Sequence, residues 1–269
     1  MSDRTIKFFG YSVIFLIMLC PFLLFYYSYP LIKATSVFKI FFSSWDPDSN
    51  KYGLSAFIAT SFIVGFLASM ISFVLSLGIA IHIYISKSKI LKSVITFMTG
   101  IPTVVYAFLG LLFIVPVIRK YTVSPTGLSL LAVIVVLSVI ILPTIVLYIL
   151  ETFNMVSKDV RETALALGAT EEQFVRKILI PTSVKGIFTA YILGFGRGIS
   201  DTIVGLLISG NAIGFPHSIF ESARSLTSHI ALLMPGEFDS IEFKAIFFSG
   251  LIFIFIIFIL NILIRRFEK

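Results

Sequence analysis

The sequence predicts an all-α membrane protein whose chain crosses the bilayer six times. Of its 269 residues, 58% are hydrophobic and only 13% carry a charge. Several apolar runs exceed the roughly 18 residues that mark a transmembrane helix. A β-barrel would instead show short segments of alternating polarity. Composition therefore places the chain in a membrane as a polytopic bundle of helices.

Six apolar runs separated by polar loops give the predicted spans. They cover about residues 8–27, 56–85, 94–118, 128–150, 186–208 and 244–264. The most polar interruption is the loop 151–185 between the fourth and fifth spans. Since no internal repeat or linker divides the chain, we expect a single transmembrane domain over residues 1–269.

The first span follows a short basic start and ends at an aromatic cluster, Phe25–Tyr29, before Pro30. Because this apolar run is long and is not followed by a small-residue cleavage site, we expect a retained helix rather than a signal peptide. Trp45, the only tryptophan, lies in the next polar loop. It is predicted to anchor the chain at the membrane interface.

The second and third spans differ in composition. Small residues recur at helical spacing along the second span, where they allow membrane helices to pack closely. The third span contains Gly100, Pro102, Gly110 and Pro116. Because proline removes a backbone hydrogen bond, the freed groups need neighbouring side chains or water. The third span is therefore predicted to line a protein interior rather than lipid.

The long loop 211–243 precedes the sixth span. Its portion 218–233 has the composition of an amphipathic helix. His217 and His229 lie in this loop without the spacing of metal ligands, so we expect both side chains to be solvated at the surface.

The basic residues predict the orientation of the chain. Six spans place both termini on one side, together with the loop around Lys87 and the loop 151–185. That side carries thirteen Lys and Arg residues, and the opposite side carries seven. The positive-inside rule therefore predicts that both termini and the loop 151–185 are cytoplasmic. The net charge of +7 reflects these span ends and is not a sign of nucleic-acid binding.

The segment 162–181 within the cytoplasmic loop has a helix-favouring, charge-mixed composition. Ala164, Leu167 and Gly168 are spaced three and four residues apart, so we expect them to share one helix face. The small residues at this face would let another backbone approach. Pro181 is predicted to end the segment, because proline disfavours helical geometry at the residue before it.

This segment resembles the EAA loop of ABC-importer permeases. The residues that match the pattern are Glu162, Ala164, Gly168, Ile178 and Pro181, whereas Thr163 and Ile180 replace an Ala and a Leu. The resemblance implies that the loop forms the coupling helix that docks into a cleft of an ATPase subunit. The alternative is an ordinary amphipathic helix that lies on the bilayer.

Arg197 and Asp201 are charged residues inside the fifth predicted span. A charge near the bilayer centre costs roughly 2.5 to 3.5 kcal/mol even on insertion scales, so such residues are candidate functional sites. Four residues apart on a helix, they would share a face and could pair. Arginine suits an oxyanion because its planar guanidinium donates two hydrogen bonds at once. The alternative is an ion pair that only holds two helices together.

Several motifs resemble the phosphate-specific transport permeases, the C-type subunit more than the A-type. In chain order they are SSWDPDSNKYG, GIPTVVYAFLG, GRGISDTIVGLLISGNA and PHSIFESARSLTSHIALLM. The similarity covers most of the chain, from about Trp45 to Asn261. In that family an Arg and a Glu four residues later are implicated in phosphate passage. Arg197 matches the Arg, but Asp201 departs from the Glu, and we place Thr202 on the same predicted substrate pathway.

The resemblance implies a subunit of an ATP-driven importer of inorganic phosphate in the cytoplasmic, or inner, membrane. Its implied partners are a second permease subunit, an ATPase dimer and an extracytoplasmic phosphate-binding protein. The chain has no Gly-x4-Gly-Lys-Ser/Thr pattern, so we expect no ATP hydrolysis by this chain alone and no cofactor.

Two other functions remain open at this stage. The Asp201 departure leaves room for another oxyanion or small solute, such as molybdate. A membrane enzyme would have to draw its catalytic groups from His82, His217, His229 and the few buried acids, which the sequence disfavours.

Overall fold

The computed structural model describes residues 3–268. In chain order the α-helices are α1 (Asp3–Ala34), α2 (Val37–Phe42), α3 (Ser55–Ser86), α4 (Lys89–Gly100), α5 (Thr103–Leu109), α6 (Val115–Tyr121), α7 (Leu130–Met155), α8 (Lys158–Ala166), α9 (Glu171–Phe174), α10 (Ile180–Ser200), α11 (Ile203–Ile208), α12 (Leu226–Leu233) and α13 (Ile241–Glu268). Two π-helical turns, Gly110–Ile114 and Val175–Leu179, join helices. Lys269, one of the basic residues used to predict orientation, lies outside the described residues.

Within residues 3–268, six helical segments are long and apolar enough to cross a membrane, which confirms the predicted fold class. They are Lys7–Ala34, Ser55–Ser86, Thr103–Tyr121, Leu130–Met155, Glu171–Ser200 and Ile241–Arg266. Their bounds differ from the predicted spans mainly at the third and fifth, where the helices break or continue at unexpected residues.

Helix α7 forms the centre of the bundle and packs against α3, α4 and α10. Its residues Ile141, Ile145 and Ile149 are fully buried. In contrast, α1 lies at the outside and packs along α13. Because most of α1 remains exposed, its apolar surface is available to lipid.

Helices α3 and α10 cross at backbone contact, as the small residues of the second span predict. A Cβ atom placed on Gly198 would lie 3.1 Å from the Cα of Gly65, and one placed on Gly65 would lie 2.6 Å from a side-chain carbon of Ile199. Glycine is therefore needed on both helices at this crossing, which packs the last turn of α10 against α3.

Trp45 is not an interfacial anchor, and that prediction is wrong. It forms a short antiparallel hairpin in which β1 (Trp45–Asp46) pairs with β2 (Lys51–Tyr52). Asn50 adopts a left-handed conformation and turns the chain back. The indole is consequently buried, with its ring edge-on to Phe57 at 6.0 Å between centroids.

The third predicted span, 94–118, falls across three helices: a break at Pro102 separates α4 from α5, and the π turn Gly110–Ile114 joins α5 to α6. Pro102 has no N–H to donate to the carbonyl of Met98, four residues earlier. The Tyr106 hydroxyl donates a hydrogen bond to that carbonyl at 3.0 Å instead. A side chain of the following turn thus satisfies the backbone group that the proline leaves free.

The fifth predicted span, 186–208, begins and ends earlier than expected. Pro181 does not end the preceding segment: helical structure runs without interruption from Glu171 through the π turn into α10. Pro181 lies in the first turn of α10, where a missing N–H is tolerated. The Thr182 hydroxyl donates to the carbonyl of Ile178 at 2.7 Å and so occupies one acceptor there.

Candidate translocation and coupling sites

The helix that carries Arg197 breaks at Asp201. Helix α10 ends at Ser200, and Asp201 has an extended backbone with φ −72° and ψ 122°. The Oδ1 atom of Asp201 accepts a hydrogen bond from the N–H of Val204 at 2.8 Å. Asp201 therefore caps α11, as a carboxylate before a helix commonly does. Thr202 begins this new turn, and its carbonyl accepts from Leu206 at 2.9 Å.

The prediction that Arg197 and Asp201 share a helix face and pair is wrong. The break at Ser200 turns Asp201 away, and its carboxylate is engaged in capping α11. Within residues 3–268, the Arg197 guanidinium has no ion pair or hydrogen bond and lies exposed on the surface of the chain. It remains near enough to Asp201 and to the Tyr106 hydroxyl to interact with both electrostatically.

A narrow cavity of about 10 Å³ lies behind Asp201. The hydroxyl groups in its lining come from Thr60, Ser61, Ser209 and Ser225. The Thr60 hydroxyl is buried without a hydrogen-bond partner among the described residues. A volume near that of one water probe cannot hold a tetrahedral oxyanion. An anion could pass this point only if α10 and α11 moved relative to α3 or α12.

Helix α12 holds this break in place through two hydrogen bonds. The Thr227 hydroxyl donates to the carbonyl of Asp201 at 3.0 Å. The N–H of Leu226 donates to the Ser61 hydroxyl on α3 at 2.9 Å. The expected amphipathic helix over 218–233 is therefore shorter, limited to Leu226–Leu233, and its first turn is attached to both α3 and the break.

His229 is fully buried at this position, so its predicted solvation is wrong. Its ring stacks on Phe57 at 4.0 Å between centroids and meets Trp45 edge-on at 4.3 Å. The Nη1 atom of Arg224 lies 3.4 Å from Nδ1 of His229, and Nε of Arg224 donates to the carbonyl of Asn211 at 3.2 Å. Arginine can only donate, so Nδ1 is the acceptor of a neutral imidazole.

Burial, together with the nearby positive charge of Arg224, lowers the pKa of His229 to about 3. Burial also lowers the pKa of Arg224. The two groups are thus arranged so that only one of them carries a charge, and His229 packs as a neutral aromatic ring between the hairpin and α12.

Helix α8 ends in a glycine-dependent turn. Gly168 has φ +86°, and its N–H donates to the carbonyl of Leu165 at 3.0 Å. The N–H of Ala169 donates to the carbonyl of Ala164 at 3.1 Å. These two bonds form a Schellman motif, in which glycine supplies the left-handed residue that ends the helix.

This turn contradicts the prediction that Ala164, Leu167 and Gly168 share one helix face. Ala164 is 8% exposed, whereas Leu167 is 84% exposed and Gly168 is also exposed, because α8 has already ended. A Cβ atom on Gly168 would meet no neighbouring atom. Leu167 and Gly168 therefore form a protruding tip, with Glu162 exposed one and a half turns earlier.

Helix α8 is connected to α9 by a bidentate ion pair. Both Nε and Nη2 of Arg161 donate to the carboxylate of Glu171. Thr170 and Gln173 form a reciprocal capping box at the start of α9. Ile178 follows, half-buried in the π turn. The tip formed by Leu167 and Gly168 is thus attached to the helical segment that leads to Arg197.

Of the residues that the sequence singled out, the structure brings Arg197, Asp201 and Thr202 together at one helix break. It places the five EAA-matched residues between α8 and the first turn of α10. Sequence reasoning missed Tyr106, Arg224 and the role of His229. A Tyr four residues after Pro102, and an Arg five residues before His229, were the only local signals.

The six apolar helices and a family comparison together give the class of this protein. Residues 72–269 match the family of binding-protein-dependent transport system inner membrane components, and the chain belongs to this family. It is a multi-pass permease subunit of an ABC importer.

Among curated proteins, the probable ABC transporter permease protein YqgH of Bacillus subtilis is 40% identical over 199 residues, which are 71% of this chain and 64% of that protein. The chain thus spans less than two thirds of the length of that relative. The phosphate transport system permease protein PstC of Pasteurella multocida is 26% identical over 251 residues, 85% of this chain and 78% of that protein.

Among solved structures, an inward-facing MetNI methionine ABC transporter shares the fold. The TM-score is 0.62 at 18% identity, over 80% of this chain and 96% of the other. At this identity the likeness concerns the fold alone.

We predict that His229 makes the stability of the chain depend on pH. Its folded pKa, about 3, lies below the ordinary value of 6.5, so the unfolded chain binds more protons between these values. The contribution of neutral His229 to the free energy of unfolding is fully present above about pH 6.5. Below that pH the free energy of unfolding falls by about 1.4 kcal/mol per pH unit. Thermal unfolding at neutral pH and at about pH 5 measures this loss. His229→Gln removes it, and the exposed His217→Gln serves as the control. An equal pH slope in the His229 variant contradicts the prediction.

Proposed function

We propose that this chain is the C-type permease subunit of an ABC importer for inorganic phosphate. The observation that carries the proposal is Arg197, an unpaired guanidinium on the exposed surface of a membrane helix. The similarity to phosphate transport permeases named PstC supports phosphate as the transported anion. Arginine matches the geometry of a phosphate group through paired hydrogen bonds.

The position of Arg197 supports a second permease subunit as partner. Against lipid, its charge would cost roughly 2.5 to 3.5 kcal/mol or more, and residues 3–268 offer it no ion pair. A partner subunit that covers this face would place Arg197 at the interface, where a water-filled path between two permeases solvates it. In such a path the guanidinium offers a transient site for an anion.

Asp201 and Thr202 have distinct proposed roles in this path. The nearby Asp201 carboxylate weakens the local positive field and so keeps the anion from binding too tightly. Because Asp201 also caps α11 and its carbonyl accepts from Thr227, movement of α12 would move this carboxylate. Thr202 lies at the break itself, directly after Asp201 and before α11, and is proposed to contribute its hydroxyl to the same path.

Coupling to ATP is proposed to pass through α8. In this proposal the loop 151–185 and both termini are cytoplasmic, and an ATPase dimer binds the tip that Leu167 and Gly168 form. The ion pair of Arg161 with Glu171 would pass a displacement of this tip to the helical segment 171–200, which ends three residues beyond Arg197. At about 1.5 Å per residue, this segment of 30 residues is roughly 45 Å long, which is enough to connect the cytoplasmic loop with Arg197.

The extracytoplasmic loops complete the proposed mechanism. The loops 31–53 and 211–243 would receive a phosphate-binding protein. Since the hairpin of Trp45 packs on His229 and α12 is bonded to Asp201, docking there could open the narrow cavity behind the break. Alternating access then follows as ATP binding closes the cytoplasmic side and opens this one.

A second candidate is an importer of another oxyanion, such as molybdate. The shorter carboxylate of Asp201, where phosphate permeases have Glu, favours it. Uptake of labelled phosphate into vesicles that carry the assembled complex, with arsenate, sulfate and molybdate as competitors, separates the two. Phosphate transport predicts ATP-dependent uptake with strong competition by arsenate only. Strong competition by molybdate or sulfate would move the assignment to that anion.

We predict that Arg197→Ala reduces this uptake to background without preventing assembly of the complex. The reason is that the anion loses its only cationic partner at the break. Arg197→Lys, which keeps the charge but not the planar fork, should retain partial uptake. Co-purification of the ATPase measures assembly. Full uptake by an assembled Arg197→Ala complex would exclude a role for Arg197 in anion passage.

We predict that Gly168→Asp uncouples the ATPase, because it adds a charge to the docking tip. Gly168→Asn is the matched control, since Asn and Asp have similar size and both tolerate a left-handed backbone better than most residues. Uptake and ATP hydrolysis by the complex are the measurements. The Asp variant should lose coupled uptake, and the Asn variant should keep most of it. An equal loss of coupled uptake in the two variants would mean that backbone strain, rather than docking, is responsible. Normal coupled uptake in the Asp variant would contradict the prediction.

A further inference from the structure

A basic pocket of about 570 Å³ lies between the α3–α4 turn and the start of α8. Its charged lining consists of Lys87, Lys89, Lys92, Lys158, Arg161 and Glu162. Arg161 is neutralised by Glu171, so four lysines remain against one carboxylate. All four lysines are exposed, and among the described residues none of them has an ion-pair partner.

The backbone at the α3–α4 turn points to a built site rather than a loose basic loop. Lys87 has φ +53°, a left-handed conformation that is uncommon for a residue with a side chain. Its N–H donates to the carbonyl of Ile83 at 2.9 Å, which fixes this conformation as the cap of α3. Ser88 then caps α4 by accepting from Leu91. The two caps hydrogen-bond both ends of the turn, so the backbone that carries the lysines is tied to α3 and α4.

The remaining wall of the pocket combines apolar side chains of Ile83, Leu150 and Val156 with neutral polar groups. Tyr84, Ser88 and Asn154 line it beside the cations. A phosphate group prefers such a mixture of positive charge and hydrogen-bond donors. The volume is in the range of ordinary ligand pockets and is ample for a glycerophosphate headgroup.

An apolar stripe next to the pocket indicates what the phosphate group is attached to. Helix α4 exposes Ile90, Val94 and Phe97, which are 80%, 50% and 73% accessible and lie on one helix face. Lys89 and Lys92 lie on the same helix at the pocket. A helix that combines lysines with an exposed apolar face suits the boundary between headgroups and acyl chains.

We propose that this pocket binds one anionic phospholipid, with its phosphate headgroup among the lysines and its acyl chains along Ile90, Val94 and Phe97. The bound headgroup would bridge the α3–α4 turn and the start of α8. It would thereby hold α8 against the membrane-spanning helix α3. The site lies apart from the Arg197 break and does not depend on which anion is transported.

The test uses the full chain in nanodiscs of phosphatidylcholine, with and without phosphatidylglycerol. Native mass spectrometry of the released protein measures how much phosphatidylglycerol stays bound. We expect one retained molecule per chain. The double variant Lys87→Gln, Lys158→Gln removes a charge from each wall and should lower retention about tenfold or more, since each surface lysine contributes to anionic-lipid binding.

The matched control is Lys177→Gln with Lys185→Gln, which removes the same charge from the same predicted side but outside the pocket. Retention within about twofold of the original chain is expected for it. An equal loss in both double variants would reduce the effect to general surface charge and overturn the site. Undiminished retention in Lys87→Gln, Lys158→Gln would also overturn it, provided that both variants unfold at the temperature of the original chain.

A third arm separates the lipid from a soluble anion. Labelled inorganic phosphate is added to the chain in pure phosphatidylcholine nanodiscs, and binding is measured with Arg197→Ala to remove the candidate transport site. We expect no binding that depends on Lys87 and Lys158. Saturable phosphate binding that is lost in their double variant would overturn the lipid assignment in favour of a free-phosphate site.

Discussion

Inside a bilayer, every backbone group that a helix break exposes must find another hydrogen-bond partner, and this constraint determines where the functional residues of this permease can lie. At the break beside Pro102 the Tyr106 hydroxyl donates a hydrogen bond to the carbonyl of Met98. At the second break the Asp201 carboxylate accepts a hydrogen bond from the N–H of Val204, and the Thr227 hydroxyl donates one to the Asp201 carbonyl. Each break is thus stabilised by a polar side chain, and both breaks lie within electrostatic reach of Arg197.

The fifth span is one continuous helical segment with a different candidate site at each end. The π turn at Val175–Leu179 brings Pro181 into the first turn of α10, so the helical segment from Glu171 to Ser200 stays continuous. One end of this segment is joined to α8 by the ion pair of Arg161. The other end carries Arg197 and stops at the break. Although a proline usually stops a helix, Pro181 is therefore compatible with continuous helical structure from α9 to Arg197. This structure connects the tip that Leu167 and Gly168 form with the candidate anion site.

The six spans were predictable because a bilayer requires about twenty apolar residues for each crossing, and such runs are evident without any tertiary information. The break at Asp201 was not, since a residue four positions after Arg197 fits a continuous helix equally well. The broken form is distinguished by the contact with Thr227 of α12, which lies 26 residues further along the chain. Gly168 did carry a local signal, because glycine after a helical pattern commonly caps it. The periodicity of Ala164 and Leu167 concealed that signal.

The positions of Trp45 and His229 show the same limit. Each lies in a polar segment of the sequence, and both residue types are only intermediate in how often they are fully buried. Their burial depends on one another and on Phe57, because the two loops fold together over the end of α3. Pairwise burial between distant loops leaves no periodic trace in a single sequence.

The most direct test of this account is the environment of residue 197 in the assembled complex. Cys20 is the only cysteine, so Arg197→Cys in a Cys20→Ser background gives a single thiol. We expect a charged, membrane-impermeant methanethiosulfonate reagent to modify this thiol, because an aqueous path between two permease subunits would give the reagent access to it. A thiol that reacts only with a lipid-soluble maleimide would show that residue 197 faces the bilayer, and would contradict an aqueous path between two permease subunits.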